Sequence, residues 1–173
     1  MFNVRLYLLF IGLSTCFCAQ AQDTKEIKTT YQRIQKELHE YTNKTVPVFH
    51  MSVEGGETTG YYKNDTIQKL STVLLVETGK WFQECYFKNE HLMFVLETYH
   101  RYNVPIYFDE ELADEMGVTD VFDIEKTKIT ENRYYLRNDV IFKYLSDADA
   151  TEAISLEGLH KKTQELVDDS KKL

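Results

Sequence analysis

From Asp23 onward, apolar side chains recur at Ile27, Tyr31, Ile34 and Leu38. That is the i, i+4, i+7, i+11 spacing of one helical face. It predicts a helix from Asp23 to about Thr42, opened by a capping box of Asp23 with Glu26. Lys25, Lys28, Arg33, Lys36, Glu37 and Glu40 fall on the other side and read as a solvated surface. A second pattern, Leu156, Leu159, Thr163 and Leu166, predicts a closing helix from about Asp149 to Asp169, with Asp149 and Glu152 at its start. Gly158 weakens that helix by about 1 kcal/mol relative to alanine.

Between the two helices the period falls to two. Val46, Val48 and His50 alternate with Pro47, Phe49 and Met51. Pro47 has no N–H to give a ladder, so this strand is expected at a sheet edge or at its own beginning. Glu54-Gly55-Gly56 turns the chain. Strands are then predicted at Thr58–Lys63, Thr66–Val76, Lys80–Lys88, His91–Tyr99, Lys128–Arg137 and Val140–Leu145. Turns fall at Asn64-Asp65, Thr78-Gly79, Asn89-Glu90 and Asn138-Asp139. Arg101 to Lys126 breaks the alternation and reads as a short strand at Ile106–Phe108, a helical turn and a loop. The expected fold is α+β: an antiparallel β-meander of six to eight strands, with the N-terminal and C-terminal helices packed on one face.

Three hairpins share a pattern. Tyr61-Tyr62-Lys63-Asn64-Asp65-Thr66-Ile67 is matched by Tyr86-Phe87-Lys88-Asn89-Glu90-His91-Leu92 and by Tyr135-Leu136-Arg137-Asn138-Asp139-Val140-Ile141. The copies begin at 61, 86 and 135, intervals of 25 and 49, close to one period and two. A degraded copy, Tyr107-Phe108-Asp109-Glu110-Glu111-Leu112, lies between the last two. Asn tolerates positive φ and starts a tight turn, while the large residues on either side of the turn face each other across the hairpin. Over roughly residues 58–145 these hairpins resemble MORN and YwqK-type antitoxin repeats, in which an aromatic-rich strand turns through Asn-Gly into the next. The glycine position holds Asp65, Glu90 or Asp139 here. The resemblance brings no catalytic residue with it.

The first 21 residues change the picture of compartment. Arg5 provides a positive n-region, Leu6 to Phe17 is apolar, and Ala19-Gln20-Ala21 is a small-x-small cleavage site. A signal peptide over 1–21 and a single α+β domain over 22–173 are expected, exported to the periplasm or the exterior. Leu13-Ser14-Thr15-Cys16 also resembles a lipobox, with Thr15 unusual before the cysteine. The leader end Cys18-Ala19-Gln20-Ala21-Gln22 and the Tyr-rich hairpins together resemble small exported proteins of Bacteroidota. Cleavage leaves Cys85 alone, so no intramolecular disulfide is available, and a small buried side chain is the expected role. No later apolar run approaches the roughly 18 to 20 residues of a membrane helix. With 20 basic and 28 acidic residues the chain carries −8, which argues against nucleic acid as a partner.

Candidate chemistry is sparse. His39, His50, His91, His100 and His160 form neither an H-x-x-x-H pair nor a zinc spacing with cysteine. His91 and His100 are separated by an odd number on one strand and so are expected on opposite faces. The run Asp109, Glu110, Glu111, Asp114, Glu115 lacks EF-hand spacing and reads as a solvated helix face. No metal, cofactor or catalytic constellation is expected. Two candidate ligand sites stand out. One is the polar-aromatic cluster Tyr99, His100, Arg101 and Tyr102. The other is an open sheet face presenting rings such as Tyr61, Tyr86 and Tyr135. The hairpin tips Asn64, Asp65, Asn89 and Glu90 are candidate partner contacts. The leading expectation is a non-enzymatic binding or protein-interaction module with a protein or glycan partner. The alternative is an inhibitor or immunity-like protein whose acidic tips block a basic hydrolase.

Overall fold

The computed structural model describes residues 22–48, 52, 54–147, 158 and 161. Helix α1 covers residues 22–37. A 3₁₀ turn, Leu38–Glu40, leads into strand β1, Thr42–Pro47. Then come β2 Gly56–Lys63, β3 Thr66–Val76, β4 Gly79–Lys88, β5 His91–Arg101, helix α2 Glu110–Met116, β6 Lys128–Arg137 and β7 Val140–Ser146. The strands form one antiparallel seven-stranded sheet in chain order, so the expected α+β meander is present. Pro47 is the last residue of the edge strand β1, where its missing N–H costs no ladder bond.

The repeat is one hairpin geometry used three times. Asn64-Asp65, Asn89-Glu90 and Asn138-Asp139 all have positive φ, between 50° and 65°. That is the two-residue turn whose twist matches the strands. Each hairpin then slips register at the same place, between Tyr61 and Tyr62, Tyr86 and Phe87, and Tyr135 and Leu136. The extra residue is Gln68, Met93 or Phe142 on the returning strand. All three tips lie at one end of the sheet, the tip end. The β1–β2, β3–β4 and β5–β6 connections lie at the other, the loop end.

Each sheet face has its own apolar cluster. Ile27 and Ile34 of α1 pack with Tyr41, Tyr86, Met93 and Phe94 on the first face. The second face gathers Leu70, Cys85, Phe87, Leu92, Val95, Tyr134 and Leu136. Cys85 is buried there, as expected.

Several local expectations change. Helix α1 ends at residue 37, because Tyr41 turns into the core and Thr42 pairs with Tyr62. Residue 22 is already helical, so Asp23 and Glu26 sit inside the first turns, where they face Arg137 and Lys88 instead of closing a capping box. Glu37 leaves the solvated surface to accept from Lys63 Nζ at 2.9 Å and from the Tyr41 hydroxyl at 3.1 Å. Ile106–Phe108 is a turn, closed by Phe108 N–H to Pro105 O at 3.0 Å. The bulge at Met93 shifts the alternation, so His91 and His100 fall on the same face, at opposite ends of β5. Residues 49–51 of the predicted first strand, the leader, and the closing helix apart from the helical Gly158 and Lys161 lie outside the described residues.

Candidate functional site

At the tip end, charge ties the hairpins to α1. The basic residue of each repeat copy meets an acid on the helix: Lys63 with Glu37, Lys88 with Glu26, and Arg137 with Asp23. The lengths agree. Asp23 and Glu37 are separated by about 21 Å of helix at 1.5 Å per residue. From β6 to β2 is four strand spacings, about 19 Å. The hydrogen bond from Lys63 is the main influence holding the Glu37 carboxyl below its usual range. Asn64, Asp65, Asn89 and Glu90 are exposed, as a tip contact requires. His91 Nδ1 lies 3.3 Å from Asp139 Oδ2 and joins the second tip to the third.

The repeat tyrosines do not form one continuous open face, although Tyr135 lines a cleft beside α1. Tyr61, Tyr86 and Tyr135 all point to the α1 side, and Tyr86 is 0% exposed. Tyr31 of α1 stands edge-on to the Tyr86 ring at 4.9 Å. The Tyr86 hydroxyl donates to Glu84 Oε2 at 2.6 Å and accepts from Gln35 Nε2 at 2.8 Å. Burial first, then the Glu84 charge, holds its proton far above the ordinary tyrosine range. Beside it Lys69 is buried, donating to Glu84 Oε1 at 2.5 Å and lying over the Tyr61 and Tyr86 rings. The second face is closed as well, since Tyr134 is 1% exposed and stacks on Tyr144. The twofold alternation separates the two faces but does not reveal which of them is covered.

Nor do Tyr99, His100, Arg101 and Tyr102 converge. Tyr99 faces the second side with Trp81, their rings 6.3 Å apart. His100 faces the first side against Phe82, at 5.0 Å. Arg101 is exposed, and Tyr102 packs on Phe122 at 5.3 Å beyond the strand end. Alternation along a strand makes this outcome inevitable for consecutive residues.

Sequence reading missed a polar row across the second face. Thr58, Thr72, Gln83, Glu97 and Asn132 are successive cross-strand neighbours on β2 to β6. Thr58 and Thr72 share a hydroxyl hydrogen bond at 2.9 Å. The buried Glu97 carboxylate accepts from Gln83 Nε2 at 3.2 Å and from the Tyr134 hydroxyl at 2.9 Å. Burial first, then the Glu97 charge, pushes Tyr99 up to about 12. The phenols around Glu97 therefore act as hydrogen-bond donors at neutral pH. Each strand contributes a single polar residue to the row, which exists only through the register of five strands.

The loop end is built differently. The β5–β6 connection is fixed at its base by Asn103, which donates from Nδ2 to Val121 O at 2.8 Å and accepts at Oδ1 from Asp123 N–H at 3.1 Å. Phe122 N–H bonds Phe108 O at 2.8 Å, and Tyr102 N–H bonds Thr78 O at 2.9 Å. Asp109 caps α2 by accepting from Leu112 N–H at 3.0 Å, and Gly117, at φ 67°, ends it. On this frame Ile106, Tyr107, Met116, Val118, Ile124 and Ile129 are exposed, with Leu75 and Val76 at the end of β3. Tyr107 is held by its hydroxyl, which donates to Glu77 Oε1 at 2.6 Å. Asp109, Glu110, Glu111, Asp114 and Glu115, on and just before α2, are exposed at the same end.

Among the described residues no helix is long and apolar enough to cross a membrane. No family model, curated protein or solved structure matches the chain.

Proposed function

We propose that the protein is a non-enzymatic interaction module, exported after loss of residues 1–21, that docks a protein partner through its loop end. One observation carries this reading. Of the ten exposed large apolar side chains among the described residues, eight lie at that end: Leu75, Val76, Ile106, Tyr107, Met116, Val118, Ile124 and Ile129. Such a concentration is what an interface core needs. The backbone beneath is held by Asn103 and Asp109, so little ordering would be lost on binding. The acidic side chains at the same end call for a partner with a matching apolar centre and a basic rim. Here the candidate region of Tyr99 to Phe108 contributes through Ile106 and Tyr107 rather than through its polar cluster.

The inhibitor reading rests on the three aligned tips. Their only exposed large apolar residue is Val140, and their basic residues already face α1. Capture from envelope and medium with tagged protein from residue 22 onward separates the two readings. A partner retained by wild type and by Asp65→Ala/Glu90→Ala, but lost with Met116→Lys/Ile124→Lys, is the expected result. Loss on the tip substitutions with retention on the loop-end pair would overturn it in favour of inhibition by the tips.

A further inference from the structure

Helix α1 follows the tip end and leaves part of the first face uncovered beside its N-terminal half. There a cleft of about 470 Å³ opens between α1 and strands β5 to β7. Its floor is Phe94, Leu96 and Tyr135, and its walls are Ile27 and Tyr31 on one side and Leu145 on the other. The volume lies in the range of small-molecule sites, which are mostly apolar with a few placed polar groups. The polar residues of the lining are Thr24 and Lys28 from α1, with Arg133 and Glu131 from β6. Glu131 faces one guanidinium nitrogen of Arg133. Arg133 keeps further N–H donors, and Lys28 adds three. The charged lining is therefore cationic on balance, Lys28 and Arg133 against Glu131, in a chain of net charge −8.

The geometry points to a binding site for a free single-chain anionic amphiphile. Its aliphatic tail lies on the Phe94–Leu96–Tyr135 floor and its carboxylate meets Lys28 and Arg133. An apolar floor rejects a wholly polar anion, and the two cations reject an amphiphilic cation. The acidic surface elsewhere disfavours approach to an anionic bilayer, so the ligand is a dissolved monomer. This site lies on the sheet face beside α1 and does not depend on docking at the loop end.

The test is calorimetric titration of the chain from residue 22 onward with dodecanoate below its micelle concentration. Dodecanol, dodecyltrimethylammonium and phosphatidylglycerol vesicles are run in parallel. One-to-one binding of dodecanoate is expected, with much weaker binding of the ammonium. Lys28 is exposed, so Lys28→Glu should leave the fold intact. It should weaken dodecanoate about tenfold, the scale of one charge-assisted contact, and leave dodecanol unchanged. Leu96→Trp fills the floor and should abolish both, with circular dichroism checking that it folds. Absence of saturable dodecanoate binding overturns the assignment, as does equal loss of dodecanoate and dodecanol in Lys28→Glu. Binding to the vesicles without binding to the monomer overturns the choice of a free ligand.

Discussion

The two ends of the sheet spend their side chains in opposite ways. At the tip end three hairpins of one geometry turn their charges inward: Lys63, Lys88 and Arg137 each face an acid on α1. Just behind them Tyr86, Lys69 and Glu84 lie beneath the helix in a connected set of hydrogen bonds. At the loop end most hydrogen bonds fix the backbone frame, with Asn103 at its base and Tyr107 tied to Glu77, and large apolar groups are exposed. Side chains at the tip end hold the fold together. At the loop end the frame does that, and the side chains are left available. A regular, repeated segment is thus not automatically the functional one.

The sharpest way to break this contrast is at Glu84. Glu84→Gln leaves the buried Lys69 ammonium without its counter-charge, which should destabilise the protein by about 3 kcal/mol. Urea unfolding measures it. A double replacement, Lys69→Met with Glu84→Leu, should recover most of the loss, since it removes the buried charge as well. A loss below about 1 kcal/mol in the single variant would show that the α1 side does not depend on this pair.

Tyr86→Phe is a milder test of the same side. It removes the hydroxyl that donates to Glu84 and accepts from Gln35, while keeping the ring against Tyr31. The expected cost is about 1 to 2 kcal/mol. If Tyr86 instead served a ligand on an open face, its removal would change stability little.

The turns predict a change of the other sign. Asp65 occupies left-handed backbone at φ 60° without glycine's freedom. Relief of that strain by Asp65→Gly exceeds glycine's entropy cost, for a net gain of about 0.5 to 1 kcal/mol. Thermal melts would register it as a raised midpoint. Asp139→Gly should gain less, because Asp139 also meets His91.

The same contrast explains what could be read from the chain. Strands β2 to β7 were legible within a residue or two, because a two-residue period and Asn-Asp or Asn-Glu turns are local signals. The three-copy pattern carried further, to a shared turn, but the shared bulge has no local signal and appears only in the strand register. The site was much less legible. Nothing local marks Lys63, Lys88 and Arg137 as partners of Glu37, Glu26 and Asp23, which come within reach only when α1 lies across the sheet. Tyr86 looked like a platform residue because alternation assigns a face without saying what covers it. Glu97 and Gln83 became neighbours only through register. The exposed residues Ile106, Tyr107, Met116, Val118 and Ile124 follow no single period, so local pattern divides them among a short strand, a helical turn and a loop without showing that they share one end of the sheet.

The smallest expected effect on stability bears most directly on function. Met116 and Ile124 are 61% and 63% exposed. Replacing an exposed side chain that makes no special contact changes stability by less than about 0.5 kcal/mol. Met116→Ser and Ile124→Ser should therefore leave the urea midpoint where it is, singly and together. A partner that buries both would lose affinity by far more, since truncating a central apolar anchor costs about 2 kcal/mol or more. Unchanged folding with lost capture would place their role in the interface. A stability loss above about 1 kcal/mol would instead mean that these side chains are covered within the chain itself, and the loop end would then be as self-contained as the tip end.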